Sequence, residues 1–459
     1  MMRSGLRREV LRWCETTAEW GLLAYLVLLP LSHAAPWPIP TRILLGAAAV
    51  GGLVVVLARG EIRLPHIWIV GLVMLLVAIT SISVFGSTDI VASGAAASKV
   101  LLRSLVVFLL VACAPPELAR WRRLGIALAT SALTLSVVSF GEAAFGVRNP
   151  WGGLVGPLFD YNSLCMFLIP TLPFAITAAA EPGGKAGRVF WLLGSTVVTT
   201  AIFLSFSRIG WAALGVLSAV LWLTGRAGRR ILLVAVAGGA ALFLLLAPDL
   251  RHINSVTDNT RFLATTNVEP DASVMKAMRW KDLFTFNDRL EYAWIPALGI
   301  IREHPLLGGG YGPDTFSRLA NGKGPLLTHE HNAILAVAVQ SGLAAAATYL
   351  ALLAVLVVAT TNAVRSRGAY SPGEHSLLVA LLGALLAEYV FQGLGEPTNN
   401  GRMGILFAAL AGFVASLVTP RDRWLVVRLR RRRTPALEPL APPPAGAAPH
   451  ASPRQGKTP

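Results

Sequence analysis

The chain has 459 residues, of which 54% are apolar and only 14% charged, and it carries 40 Lys and Arg against 24 Asp and Glu for a net charge of +16. A soluble domain averages about 25% charged residues, so this chain lacks the surface to be a soluble globular enzyme or a disordered protein. The basic excess sits in short gaps between apolar runs rather than on one soluble face, which also excludes a nucleic-acid module.

In chain order, apolar runs predict membrane spans at 20–35, 42–58, 66–85, 100–114, 124–145, 162–180, 189–206, 209–225, 231–247, 342–363, 375–394 and 403–419. Each run approaches the roughly 20 residues that cross a bilayer core of about 30 Å as helix. An all-α polytopic protein of about twelve transmembrane helices is expected. Residues 1–19 form a basic stretch before the first span. That start has arginines, an apolar core and Ser32-His33-Ala34-Ala35, as a signal peptide would, but Pro36 follows and so do many further spans, which favours an uncleaved first span.

With the amino terminus inside, 25 of the 40 basic residues fall in inside segments, and every short gap follows the alternation that positive charge imposes on topology. Both termini are then expected to be cytoplasmic. The segment 420–459 reads as an unstructured basic and Pro-rich tail, with Arg430 to Arg433 near anionic lipid headgroups. Three cysteines, Cys14, Cys113 and Cys165, have neither disulfide nor metal-ligand spacing.

One large outside loop stands apart, running from residue 248 to the helical stretch that ends at Ser341, with ten acidic and nine basic residues in its first eighty or so positions. Loops of that length inside a compact chain are commonly functional. Arg208 lies between two spans in Ser205-Phe206-Ser207-Arg208, and Arg289 lies in a helical stretch of the loop. Gly308-Gly309-Gly310-Tyr311-Gly312 follows no strand, so it reads as a turn passing close to another element rather than a nucleotide loop. Thr328-His329-Glu330-His331-Asn332 then opens an apolar helix over Ala333 to Gln340.

His329, Glu330 and His331 are metal-ligand types, but the spacing lacks the helical i, i+4 pairing of zinc proteases and no third partner is visible, so no metal is assigned. A general base fits better, because imidazole titrates near neutrality. The neighbouring carboxylate, Glu330, is expected to orient the ring or raise its pKa. Two guanidiniums suit a diphosphate, which they bind in forked geometry. Together these groups describe transfer from a lipid-linked pyrophosphate to an alcohol.

The order of Ser207-Arg208, then Arg289-Leu290-Glu291 with Trp294, then His304-Pro305-Leu306-Leu307-Gly308 and Gly310-Tyr311-Gly312, then His331-Asn332 with Ser341-Gly342-Leu343, resembles the bacterial O-antigen ligase/polymerase superfamily, most clearly over residues 200–350. The resemblance implies a C-type glycosyltransferase-like membrane fold with one large periplasmic helical loop. It implies metal-independent, inverting transfer of glycan from undecaprenyl pyrophosphate to lipid A-core on the periplasmic side of the inner membrane, with no cofactor. It also implies His331 as the base and Arg208 and Arg289 as ligands of the donor pyrophosphate. His329, Asn332, Arg148, Asn162 and Arg402 are outside-facing polar residues that rank behind these three.

Within the superfamily, a ligase, a polymerase and a protein O-oligosaccharyltransferase compete. About twelve spans with one dominant loop favour the ligase. A small-anion secondary transporter would use the same scaffold, but transporters place polar groups at midspan in two related halves. Here the midspan ionisable residues are few, namely Glu142, Glu388 and Arg103, and no half-to-half similarity is visible. Glu388 by itself reads as a buried, partnered carboxylate.

Overall fold

The computed structural model describes residues 2–32, 37–148, 153–158, 160–181, 184–224, 228–251, 289–312, 314–320, 329–397, 401–420 and 423–428. Most of them are helical. The helices are α1 (Met2–Leu28), α2 (Pro38–Arg59), α3 (Ile67–Ser83), α4 (Ile90–Ala112), α5 (Leu118–Ala144), α6 (Tyr161–Ala180), α7 (Lys185–Leu204), α8 (Arg208–Thr224) and α9 (Arg229–Arg251). After these come α10 (Ile295–Glu303), α11 (Thr315–Ala320), α12 (Ala333–Arg365), α13 (Pro372–Ala384) and α14 (Gly401–Val418). Among the described residues, ten helices are long and apolar enough to cross a membrane. The chain is a multi-pass membrane protein. The two remaining expected spans correspond to α8, which has 17 residues, and to the apolar end of α1.

Several boundaries differ from expectation. The basic amino-terminal stretch is not separate from the first span but forms the start of α1. Helix α4 begins ten residues before the expected span, because Asp89 caps it by accepting from the Ala92 amide at 2.9 Å. Its first turns are rich in Ala, Ser and Gly, which hydropathy undervalues. The tail from 420 contains order: β2 (Leu425–Arg428) pairs antiparallel with β1 (Glu61–Leu64), Glu61 facing Arg428 and Leu64 facing Leu425. Much of the large loop (252–288 and 321–328), the end of the signal-like stretch and residues 429–459 lie outside the described residues.

The core gathers around α6, α13 and α14. In each, 78% of the most apolar stretch is buried, against 22% in α2, α3 and α4, whose flanks face outward. Helix α6 packs on α5, α7 and α13, while α14 packs on α4 and α12 on α3. Beyond Ala384, α13 widens into a π segment, Leu385–Phe391, and closes with a 3-10 turn, Gln392–Leu394.

Helix α12 breaks at Gly342, whose φ of 83° and ψ of 174° are not helical. The glycine turn expected from sequence fills that break. Gly309 and Gly310 donate backbone N–H groups to the Val339 and Gln340 carbonyls at 2.7 and 3.2 Å, and Leu343 N donates to Pro305 O at 2.9 Å. The carbonyls freed by the kink are thus satisfied. The two segments approach so closely that a Cβ on Gly308 would lie 2.5 Å from Gln340 C. Glycine is required there on two counts, since φ is also positive at 66°.

Candidate active site

Five helix ends converge on one short turn, Leu394-Gly395-Glu396-Pro397, that follows α13. Three groups hold its backbone and side chain in place. Asn332 caps α12 by accepting at Oδ1 from the Ile334 and Leu335 amides, and its Nδ2 donates to Leu394 O at 3.0 Å. Arg289 Nη1 donates to Gly395 O at 2.9 Å, and Nη2 donates to Glu396 Oε1 at 3.0 Å. Asn162, at the start of α6, donates from Nδ2 to the same Oε1 at 2.9 Å. Asn162 is itself fixed by Ser207, whose hydroxyl donates to Oδ1 at 2.7 Å and accepts from the Gly210 amide at 3.1 Å.

The other carboxylate oxygen meets two imidazoles. His331 Nδ1 lies 3.3 Å and His329 Nε2 3.6 Å from Glu396 Oε2. The ring centroids lie 4.0 Å apart, with the planes tilted by 39°. An ionised carboxylate only accepts hydrogen bonds, so the His331 Nδ1–H donates and Nε2 carries the free lone pair. Two residues here sit in left-handed backbone, Phe206 at φ 57° and His331 at φ 48°. Each costs about 1–3 kcal/mol in a residue with a side chain, and such strain gathers at working sites. A π turn, Leu290–Trp294, also follows Arg289 directly, as the π segment of α13 precedes Glu396.

Glu396 is 1% exposed. Burial opposes its ionisation, but the charge and hydrogen bonds of His331 and His329 outweigh it and hold the carboxyl well below the usual range. Burial lowers His331, partly offset by Glu396, so its imidazole is neutral at neutral pH. Burial also disfavours the charged form of His329, yet Glu396, Asp160 and Glu330 together raise it. Two neighbouring imidazoles on one carboxylate thus divide into one that holds a proton more readily and one that gives it up more readily.

Glu330 does not play the part expected of it. Its side chain is buried, Oε1 has no hydrogen-bond partner among the described residues, and burial pushes its carboxyl up to about 7. The carboxylate that orients the His331 ring is Glu396, 65 positions downstream. Glu396 is also the third partner that the two histidines lacked in the sequence: His329, His331 and Glu396 each offer a ligand atom, all within 4.8 Å of one another. Sequence reasoning missed it, although a lone carboxylate in a Gly- and Pro-bounded turn between two apolar runs is a visible signal.

The remaining expected residues scatter more widely. Arg208 opens α8 and is exposed, with Ser207 on one side in the network and Ile209 on the other against Gly395. No described hydrogen bond uses its guanidinium. Arg402 lines a cavity of about 420 Å³ together with His329, Asp160, Ser163, Tyr311 and Asp314. Asp160 caps α6 by accepting from Ser163, and burial, then the charge of Glu396, pushes its carboxyl up. Arg148 Nε instead donates to Ala143 O at the end of α5, and no described contact joins it to the cluster. Glu388 is fully buried, and neither carboxylate oxygen has a hydrogen-bond partner among the described residues, contrary to the partnered carboxylate expected.

Residues 192–350 match the family described as O-antigen ligase. This stretch belongs to the O-antigen ligase/polymerase superfamily. The O-antigen ligase segment runs from α7 into α12 and supplies Ser207, Arg208, Arg289, His329, His331 and Asn332. Asn162 and Glu396 lie outside it, on α6 and after α13. Proteins of the O-antigen ligase family are glycosyltransferase-like enzymes of lipopolysaccharide synthesis. No curated protein compared with the chain matches it.

Proposed function

We propose that the chain is an O-antigen ligase of the bacterial inner membrane, moving a glycan from undecaprenyl pyrophosphate to a sugar hydroxyl of lipid A-core at the periplasmic face. The observation that carries this reading is the Glu396–His331 pair with Arg289 on the same carboxylate. It supplies a neutral base and an adjacent cation at one point, where five helix ends meet.

In this reading, the acceptor hydroxyl gives its proton to His331 Nε2 as its oxygen attacks the anomeric carbon opposite the pyrophosphate. The carbon–oxygen bond to the pyrophosphate breaks, and undecaprenyl pyrophosphate departs with the electron pair, giving inversion. Glu396 keeps the Nδ1 proton in place and stabilises the imidazolium, a division of labour that needs no transfer to the carboxylate. Arg289 uses two of its five donors on Gly395 O and Glu396, leaving others for phosphate oxygens. Arg208, exposed one residue from the network, supplies a second cation for the leaving charge. These side chains suffice without a metal ion or cofactor. A small apolar cavity lined by Val73, Leu105, Phe108 and Phe407 shares Tyr311 and Gln340 with the polar chamber, which suits a substrate with a lipid and a sugar end.

Deleting the gene from its host and running the lipopolysaccharide on a gel tests the assignment. Core without any O-chain is expected. Core bearing one repeat would make the protein a polymerase, and an unchanged ladder would end the ligase reading.

A further inference from the structure

The two histidines and Glu396 have a second capability that general-base chemistry does not require. The geometry points to a binding site for a borderline divalent cation (Zn2+, Co2+ or Cu2+) formed by His329 Nε2, His331 Nδ1 and Glu396 Oε2, which blocks glycan transfer when filled. Two nitrogens lie 3.3 and 3.6 Å from one carboxylate oxygen. Around a first-row ion with bonds of about 2.0–2.1 Å, adjacent tetrahedral ligands sit roughly 3.3–3.4 Å apart. Two edges of such a polyhedron are therefore nearly in place, and all three ligand atoms lie within 4.8 Å of one another, so small ring rotations would close the shell around an ion.

The surroundings match as well. A ligating carboxylate is ordinarily fixed by hydrogen bonds to its other oxygen, and Glu396 Oε1 is held by Asn162 and Arg289 at 2.9 and 3.0 Å while Oε2 faces the imidazoles. Of the three ligands, His329 lines the cavity of about 420 Å³ beside Asp160, so a water completing the shell would enter from its side. Arg289 adds an opposing positive charge, but its guanidinium is already engaged by Gly395 O and by Glu396 Oε1, the carboxylate oxygen turned away from the imidazoles. Two imidazoles with a single oxygen select Zn2+, Co2+ or Cu2+ over Mg2+ and Ca2+, which demand oxygen-rich shells.

The ion would take the place of the proton that His331 Nδ1 shares with Glu396, and a metal on Nδ1 withdraws charge from Nε2. It is thus an inhibitor rather than a cofactor. The inhibitory half rests on His331 being the base, whereas the binding half does not.

The test is titration of the purified full-length protein, without a histidine tag, with Co2+ alone, read by its visible absorption and by calorimetry. One equivalent with the intense bands of four-coordinate Co2+ is expected. Affinity should fall at least tenfold in His329→Gln and in Glu396→Gln, each checked for folding by its unfolding temperature. His329 is partly exposed, so that variant should keep the fold. No bound Co2+, or binding that both variants leave intact, would overturn the site. Transfer assays separate the two readings: Zn2+ inhibition that His329→Gln relieves supports the site, and transfer unaffected by Zn2+ at saturating occupancy refutes His331 as the base. Transfer abolished by a chelator and restored by Zn2+ would overturn the inhibitory role.

Discussion

Replacing Glu396 by Gln tests the candidate site with the smallest change of shape. The glutamine oxygen can still accept from Asn162 Nδ2 and Arg289 Nη2, which lie 2.9 and 3.0 Å from Glu396 Oε1. Its NH2 group then faces His331 Nδ1, where the carboxylate accepted at 3.3 Å. An NH2 group only donates there, so Nδ1 must become the acceptor and the ring proton moves to Nε2. The base is then blocked by its own proton while every heavy atom stays in place. A wrong tautomer of this kind costs about 10⁴ in kcat in hydrolase triads, and general-base loss alone costs about 10²–10⁴. Loss of the charge weakens the Arg289 bond by about 1–3 kcal/mol, which shows as a lower unfolding temperature but not as an unfolded protein.

The assay is single-turnover transfer from a lipid-linked donor to purified acceptor in detergent, beside thermal unfolding of the same samples. Because Glu396 and His331 would act as one unit, a Glu396→Gln/His331→Gln double variant should be little slower than His331→Gln. A folded Glu396→Gln protein that transfers glycan within about one order of magnitude of wild type would refute the reasoning, as would fully additive losses.

The other predictions separate binding, protonation and packing. Arg208→Ala should raise KM for the donor by about tenfold, the effect of losing roughly 1.4 kcal/mol, without changing the unfolding temperature, since no described hydrogen bond uses Arg208; unaltered kinetics would remove it from the site. Because His331 is pushed below the ordinary imidazole range, the acid limb of the rate profile should lie below about pH 6.5, and a limb above that value would contradict a neutral base. Glu330 has its folded pKa raised to about 7, so its protonated form stabilises the fold most below the unfolded value of 4.5, and that contribution is lost as pH rises toward 7. Glu330→Gln should flatten the fall in unfolding temperature across this window, a term on the order of 3 kcal/mol at most, and an unchanged slope would count against it. Gly342→Ala should destabilise by about 1–3 kcal/mol from φ alone, and by more because the new Cβ meets Leu306 O; a neutral result in thermal unfolding would mean the kink is not needed.

Much of this was readable from the chain itself, and for a physical reason. Hydropathy is a sum over neighbouring residues, so the positions of the membrane helices follow from local composition. The expected spans fall on observed helices, with errors where Ala, Ser and Gly dilute the signal, as at the start of α4. The glycine turn and the start of the helix after Asn332 were legible for the same reason, because backbone geometry at one residue constrains which side chain it accepts. The contact between the glycines and the break at Gly342, by contrast, joins segments more than thirty positions apart.

The partnership at the candidate site was decided in space. His331 reaches Glu396 across 65 positions, Arg289 across 107 and Asn162 across 234, and no local pattern encodes which carboxylate a buried imidazole will meet. Sequence offered Glu330 as the partner because it is adjacent. The chain turns through a left-handed residue at His331, and the partner becomes the carboxylate that α13 delivers at its end. Residue types and their order settled the kind of protein and the kinds of chemistry available, since those depend on what each side chain is. Which acid serves which base depends on where helices end, and only packing decides that.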